Sequence, residues 1–302
     1  AASGAAPAGM AGGLMRRWPG VSALLCGLLV ALQAQAQAQA AEPVAQQVQV
    51  PSLDGSVALP GYWFSVGGSV PAPALVLLHG CGGAHDRQRR LGSRYVEMAA
   101  RLRSMGVQAL VVDSLTPRGE RELCTQAVGA RKVTQVQRRG DALGALKWLA
   151  GQPGVDAQRI GLLGWSNGGS TVLAASNLAH ADVRTAGVRP TLALAYYPGC
   201  EAELRRGYTP AAPLLLLLGE ADDWTAAAPC KALVAQSGPT AQFEAYADAH
   251  HGFDSRAPVR LRQDVPGGSR PGSGVHVGAN PAARAAAALR LEQFIREKWS
   301  LP

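Results

Sequence analysis

Five continuous apolar runs constrain this chain more than any other feature. They read "PALVLLHG" (73–80), "VQALVVDS" (107–114), "RIGLLGWS" (159–166), "TLALAYYPG" (191–199) and "PLLLLLGEAD" (213–222). Such runs mark strands buried on both faces, which belong to parallel sheets covered by helices. Helical spacing fills the gaps, with Leu91, Tyr95, Met98, Leu102 and Met105 in 86–105 and Val133, Val136, Leu143, Leu146 and Leu149 in 131–151. Further helices are expected over 168–180, 226–237 and 280–299, the last with Pro281 in its first turn. A strand is expected over 241–249 and an early hairpin turning at Asp54-Gly55. Residues 254–280 are rich in Gly, Pro and Arg and read as a long loop. The expected class is α/β, a mostly parallel sheet with helices on both faces, in one domain over 41–302.

The N-terminus reads as an export signal. Arg16 and Arg17 precede the apolar run Val21–Leu32, which is shorter than the roughly 20 residues of a membrane span. Ala38-Gln39-Ala40 has the small-x-small form of a cleavage site, so cleavage is expected after Ala40, with translation starting at Met15. Leu25, not a small residue, precedes Cys26, so lipidation is not expected. The expectation is an exported protein, periplasmic or secreted, with no stable membrane anchor.

Removal of that segment leaves Cys81, Cys124, Cys200 and Cys230. An even count in an exported chain suggests two disulfides, with three pairings open. Cys81–Cys124 and Cys200–Cys230 are favoured, because each joins segments following strands expected to be neighbours. No spacing reads as a metal site, and neither a metal nor an organic cofactor is implied. The formal net charge is +8, but the basic residues are scattered, and no nucleic-acid partner is expected.

The chemistry centres on "GWSNGG" (164–169) after a buried strand. In a G-x-S-x-G elbow the serine sits on a strained strand-to-helix turn, and the following helix offers N–H groups to an oxyanion. Such a serine needs a histidine base and an orienting carboxylate, expected later in the chain at strand ends. "GEADDWT" supplies Asp222 or Asp223, and the Gly-x-x-Asp spacing favours Asp222, with Asp223 as a helix N-cap. "AHHGFD" supplies His250 or His251, of which His251 before Gly-Phe is favoured and His250 is left as a structural hydrogen-bonder. "LLHGCGG" offers an oxyanion loop, and the backbone N–H groups of Cys81 and Asn167 are the candidate donors. His79 is expected to shape that loop, and His85 and His276 to be solvated.

These segments, with "VVDSLTPRG", resemble the dienelactone hydrolase family of the α/β-hydrolases over roughly residues 50–300. The resemblance implies the α/β-hydrolase fold, with Ser166 as nucleophile, Asp222 as acid and His251 as base. The family's namesake enzymes carry cysteine in the elbow, where this chain has serine. Arg118 lies where family members can place a carboxylate-binding arginine; bracing a loop through an acid such as Asp113 is the equal alternative. Arg256 lies near a second such position. Trp165 and Trp224 flank the motif residues and are candidate substrate contacts, although packing around the elbow and acid loop is the simpler role for each. The expected function is a serine hydrolase cleaving a small-molecule ester or lactone. A peptidase or acyltransferase using the same triad is the nearest alternative. A ligand-binding protein that kept the fold, or an envelope structural protein, is the alternative outside enzymes.

Overall fold

A computed structural model of the chain describes residues 45–302 and, ahead of them, Ala1 and Gly4. The export segment, with Met15, Arg16, Arg17 and the site after Ala40, lies outside the described residues.

An eight-stranded sheet runs in the order β1-β2-β4-β3-β5-β6-β7-β8. Its strands are β1 (Gln46–Pro51), β2 (Ala58–Phe64), β3 (Ala72–Leu78), β4 (Gln108–Val112), β5 (Val155–Trp165), β6 (Ala193–Tyr196), β7 (Leu214–Gly219) and β8 (Ala241–Tyr246). The hairpin strands β1 and β2 pair antiparallel, as do β2 and β4, and all later pairings are parallel. This is the mostly parallel, helix-covered sheet that the apolar runs implied.

The helices are α1 (Ser93–Ser104), α2 (Gln135–Ala150), α3 (Asn167–Ala175), α4 (Ala181–Thr185), α5 (Glu201–Arg206), α6 (Ala227–Ser237) and α7 (Pro281–Trp299). The central strands alternate between two cores. Ala74, Val76 and Leu78 of β3, with Leu214, Leu216 and Leu218 of β7, join Leu143 and Leu146 of α2, Val172 of α3 and Leu233 of α6. Leu75, Leu77, Leu215 and Leu217 face the other way, onto Tyr95 and Leu102 of α1 and Leu291 and Phe294 of α7. Burying each such leucine is worth about 1.5–3 kcal/mol. No helix among the described residues is long and apolar enough to cross a membrane.

Three elements differ from expectation. The helix expected from residue 86 starts at Ser93. Asp86 is the cause: its carboxylate accepts from the backbone N–H of Gln88 and Arg90, a local turn that competes with helix. Val136 is exposed, because the buried face of α2 carries Arg138, Ala142, Ala145, Leu146 and Leu149. The 254–280 loop contains the short antiparallel pair β9 (Arg260–Arg262) and β10 (Val275–Val277).

Candidate active site

The elbow follows from two close approaches. A Cβ on Gly164 would lie 2.3 Å from the Gly168 carbonyl oxygen, and one on Gly168 would lie 2.1 Å from that of Leu78. Only glycine lets β5 turn so sharply into α3. Between them Ser166 takes φ 53° and ψ −118°, a region that side chains rarely occupy. In this conformation its hydroxyl lies within hydrogen-bond reach of His251.

The structure brings Ser166, His251 and Asp222 together. Ser166 Oγ lies 2.8 Å from His251 Nε2. His251 Nδ1 lies 2.8 Å from Asp222 Oδ2. Asp222 Oδ1 accepts the backbone N–H groups of Trp224 and Thr225, each at 2.8 Å. Thr225 Oγ1 sits 3.0 Å from both Asp222 Oδ2 and the Tyr197 carbonyl oxygen. Burial works to raise the Asp222 pKa. The charge and hydrogen bond of His251, with the two N–H donors, outweigh it and hold the carboxyl below its ordinary value. With Asp222 accepting, Nδ1 carries the proton and Nε2 is left to accept from the serine.

Asn167 opens α3, so its N–H has no acceptor within the helix. The N–H of Cys81 also meets no protein acceptor among the described residues. Both are therefore free to receive an oxyanion. Cys81 is bonded to Cys124, and Cys200 to Cys230. The first bridge ties the candidate oxyanion loop to the segment after β4. The second joins the segment after β6 to α6.

Buried polar groups fix this loop from beneath. His79 donates from Nδ1 to the Gly80 carbonyl at 2.7 Å and accepts the Ser114 N–H at Nε2. Its burial, and then the nearby Arg138, push its pKa down to about 3, so it stays neutral. Arg138 is fully buried, and burial lowers its pKa to about 10, leaving it charged at neutral pH. Its guanidinium donates to Asn167 Oδ1 and, at 2.7 Å, to the His79 carbonyl. One cation thus joins the two segments that carry the free N–H groups. Arg138 escaped the sequence reading, although its place four residues before Ala142 puts it on the buried stripe of α2.

The remaining candidates divide. Arg118 grips Asp141 through two 2.8 Å bonds and also donates to the Ser114 carbonyl, so it braces a loop, through Asp141 and not Asp113. Arg256 is paired with Glu97. Trp165 is fully buried and its Nε1 donates to Asp254, which removes it from substrate contact. Trp224 is only part-buried, with its ring 4.7 Å from that of His251. Asp223 is not a helix N-cap, since α6 starts after Ala226. It accepts instead from the backbone N–H and Nδ1 of His276, which is therefore paired and not freely solvated. His85 also has a partner, the Tyr62 hydroxyl at 2.6 Å. His250 Nδ1 bonds the Ala221 carbonyl.

Known proteins share this fold. Esterase 2 of Thermogutta terrifontis, phosphorylated by paraoxon, superposes with a TM-score of 0.62 at 17% identity, covering 86% of this chain and 96% of its own. A dienelactone hydrolase-like promiscuous phosphotriesterase from metagenomic libraries gives 0.61 at 20% identity, covering 84% and 98%. No curated protein matches the chain. At these identities the likeness to solved structures is one of fold. The family model for dienelactone hydrolases matches residues 59–298, the whole path from β2 to α7. A match of that extent means that the chain belongs to the dienelactone hydrolase family and is a hydrolase acting on ester bonds.

Proposed function

We propose that this hydrolase is a serine esterase in which Ser166, His251 and Asp222 form the catalytic triad. The observation that carries the reading is the continuous chain of 2.8 Å contacts from Ser166 Oγ through both nitrogens of His251 to Asp222. His251 Nε2 takes the serine proton as Oγ attacks the ester carbonyl. The N–H groups of Cys81 and Asn167 receive the oxyanion. Asp222 holds the imidazole tautomer and balances the imidazolium. His251 then protonates the leaving alcohol. Water, deprotonated by the same base, releases the acid from the acyl-enzyme.

Arg118 and Arg256, the two arginines considered for a substrate carboxylate, are engaged by Asp141 and Glu97. That engagement supports an uncharged ester or lactone over a lactone acid. The signal-like N-terminus and the two disulfides support export to an oxidising compartment. That a structural neighbour is a paraoxon-phosphorylated esterase supports an activated nucleophile in this fold.

The test is hydrolysis of p-nitrophenyl acetate and butyrate by the wild type beside Ser166→Ala. The expected result is turnover that falls at least about 10⁴-fold in the variant. Equal turnover by both proteins would overturn the assignment.

A further inference from the structure

Three side chains outside the triad converge beside the loops that carry it. Asp223 follows Asp222, and His250 precedes His251. His276 lies on β10 next to Val277, which bridges to His251. One carboxylate oxygen of Asp223 and one ring nitrogen from each histidine lie within 4.8 Å of one another. We propose that Asp223, His250 and His276 bind a divalent transition-metal ion, with Zn²⁺ the best match.

The donor set argues for this class of ion. Two imidazoles and one carboxylate suit Zn²⁺ and its neighbours, whereas Ca²⁺ and Mg²⁺ favour oxygen alone. His250 is already oriented as a ligand. Its Nδ1 is 2.8 Å from the Ala221 carbonyl oxygen, so that nitrogen carries the proton and Nε2 keeps its lone pair. Nε2 has no hydrogen-bond partner among the described residues. Asp223 and His276 are also in register, since Asp223 Oδ1 accepts the His276 backbone N–H at 2.8 Å and Oδ2 lies 2.7 Å from Nδ1. The two imidazoles face each other with ring centres 5.2 Å apart.

Ligands around a tetrahedral zinc lie about 3.4 Å apart, given bonds of about 2.0–2.1 Å. The 4.8 Å spread therefore closes by small side-chain rotations. The His276 side chain is 46% exposed and that of Asp223 32%, so both have room to turn and solvent can fill the fourth position. The binding does not rest on the esterase reading.

The experiment is calorimetric titration of ZnCl₂ into tag-free wild type, His276→Gln, Asp223→Asn and His251→Gln, with folding of each checked by circular dichroism. Co²⁺ absorption in the visible range reports the ligand field. The expected result is one ion per chain with micromolar affinity. Affinity falls about tenfold or more in His276→Gln and Asp223→Asn and is kept in His251→Gln. No saturable uptake by the wild type overturns the site, as does unchanged affinity in both the His276 and Asp223 variants. Loss only in His251→Gln also overturns it, because the triad histidine would then be the ligand.

Discussion

Trp165 Nε1 donates to Asp254 Oδ2 at 2.9 Å, tying the residue before the elbow serine to the third residue after His251. Tyr197 Oη donates to the other carboxylate oxygen at 2.5 Å, and Arg94 Nε lies 3.2 Å from Oδ2. Tyr197 also packs its ring 4.6 Å from that of His251. The loop that carries His251 is therefore fastened to the elbow through Asp254.

Asp254→Ala removes the shared acceptor, leaving the donors of Trp165 and Tyr197 unmatched in the interior and Arg94, about a third exposed, without its partner. The expected cost is about 2–4 kcal/mol of stability, measured by urea unfolding. A loss below about 1 kcal/mol would show that the fastening contributes little.

Arg138 joins Asn167 to the His79 carbonyl, so its removal should loosen the oxyanion donors without touching the substrate. Arg138→Gln is expected to lower kcat by about 10–100-fold with KM changed by less than about threefold. Arg138→Lys should not restore the rate, since a single ammonium cannot reproduce the fork. Steady-state kinetics on p-nitrophenyl butyrate decide it, and a change confined to KM would go against the account.

The two disulfides span 43 and 30 residues, and loss of either should cost about 3–4 kcal/mol. Their effects on rate should differ. Replacing Cys81 and Cys124 together by serine is expected to lower kcat, because Cys81 lies in the oxyanion loop. The same change at Cys200 and Cys230 should lower the unfolding midpoint and spare kcat. Equal loss of rate in the two double variants would contradict the distinction.

His79 provides a pH signature. Burial holds its folded pKa at about 3, below the ordinary 6.5, so the unfolded chain binds the extra proton between those values. Stability from this residue is complete above about pH 6.5 and is lost progressively as pH falls toward 3. Unfolding free energy measured across that window should have a steeper acid slope in the wild type than in His79→Gln. Identical slopes would mean that His79 is not held neutral.

The parallel sheet was legible because both-faces-buried strands leave long apolar runs, and β3 and β7 are the clearest. Ser166 and Asp222 were legible as candidates because each follows such a run, and His251 because it precedes Gly-Phe just after the next expected strand. Of the two roles open to Trp165, the structure gives it packing, since strand alternation puts it on the same face as Leu163, in the core with α1 and α7. Asp86 delayed the start of a helix through its own side chain, which periodicity does not register. Short strands such as β9 and β10 are set by a partner more than ten residues away and leave no local pattern. The roles of Arg138 and Asp254 depend on what packs around them, and a charged residue in a sequence carries no mark of its own burial.

Reaction with a fluorophosphonate probe, followed by intact mass and peptide mapping, tests the central claim most directly. The account predicts one adduct per chain, on Ser166, absent in Ser166→Ala and much slower to form in His251→Gln. No adduct on the folded wild-type protein, or an adduct on another residue that persists in Ser166→Ala, would contradict it.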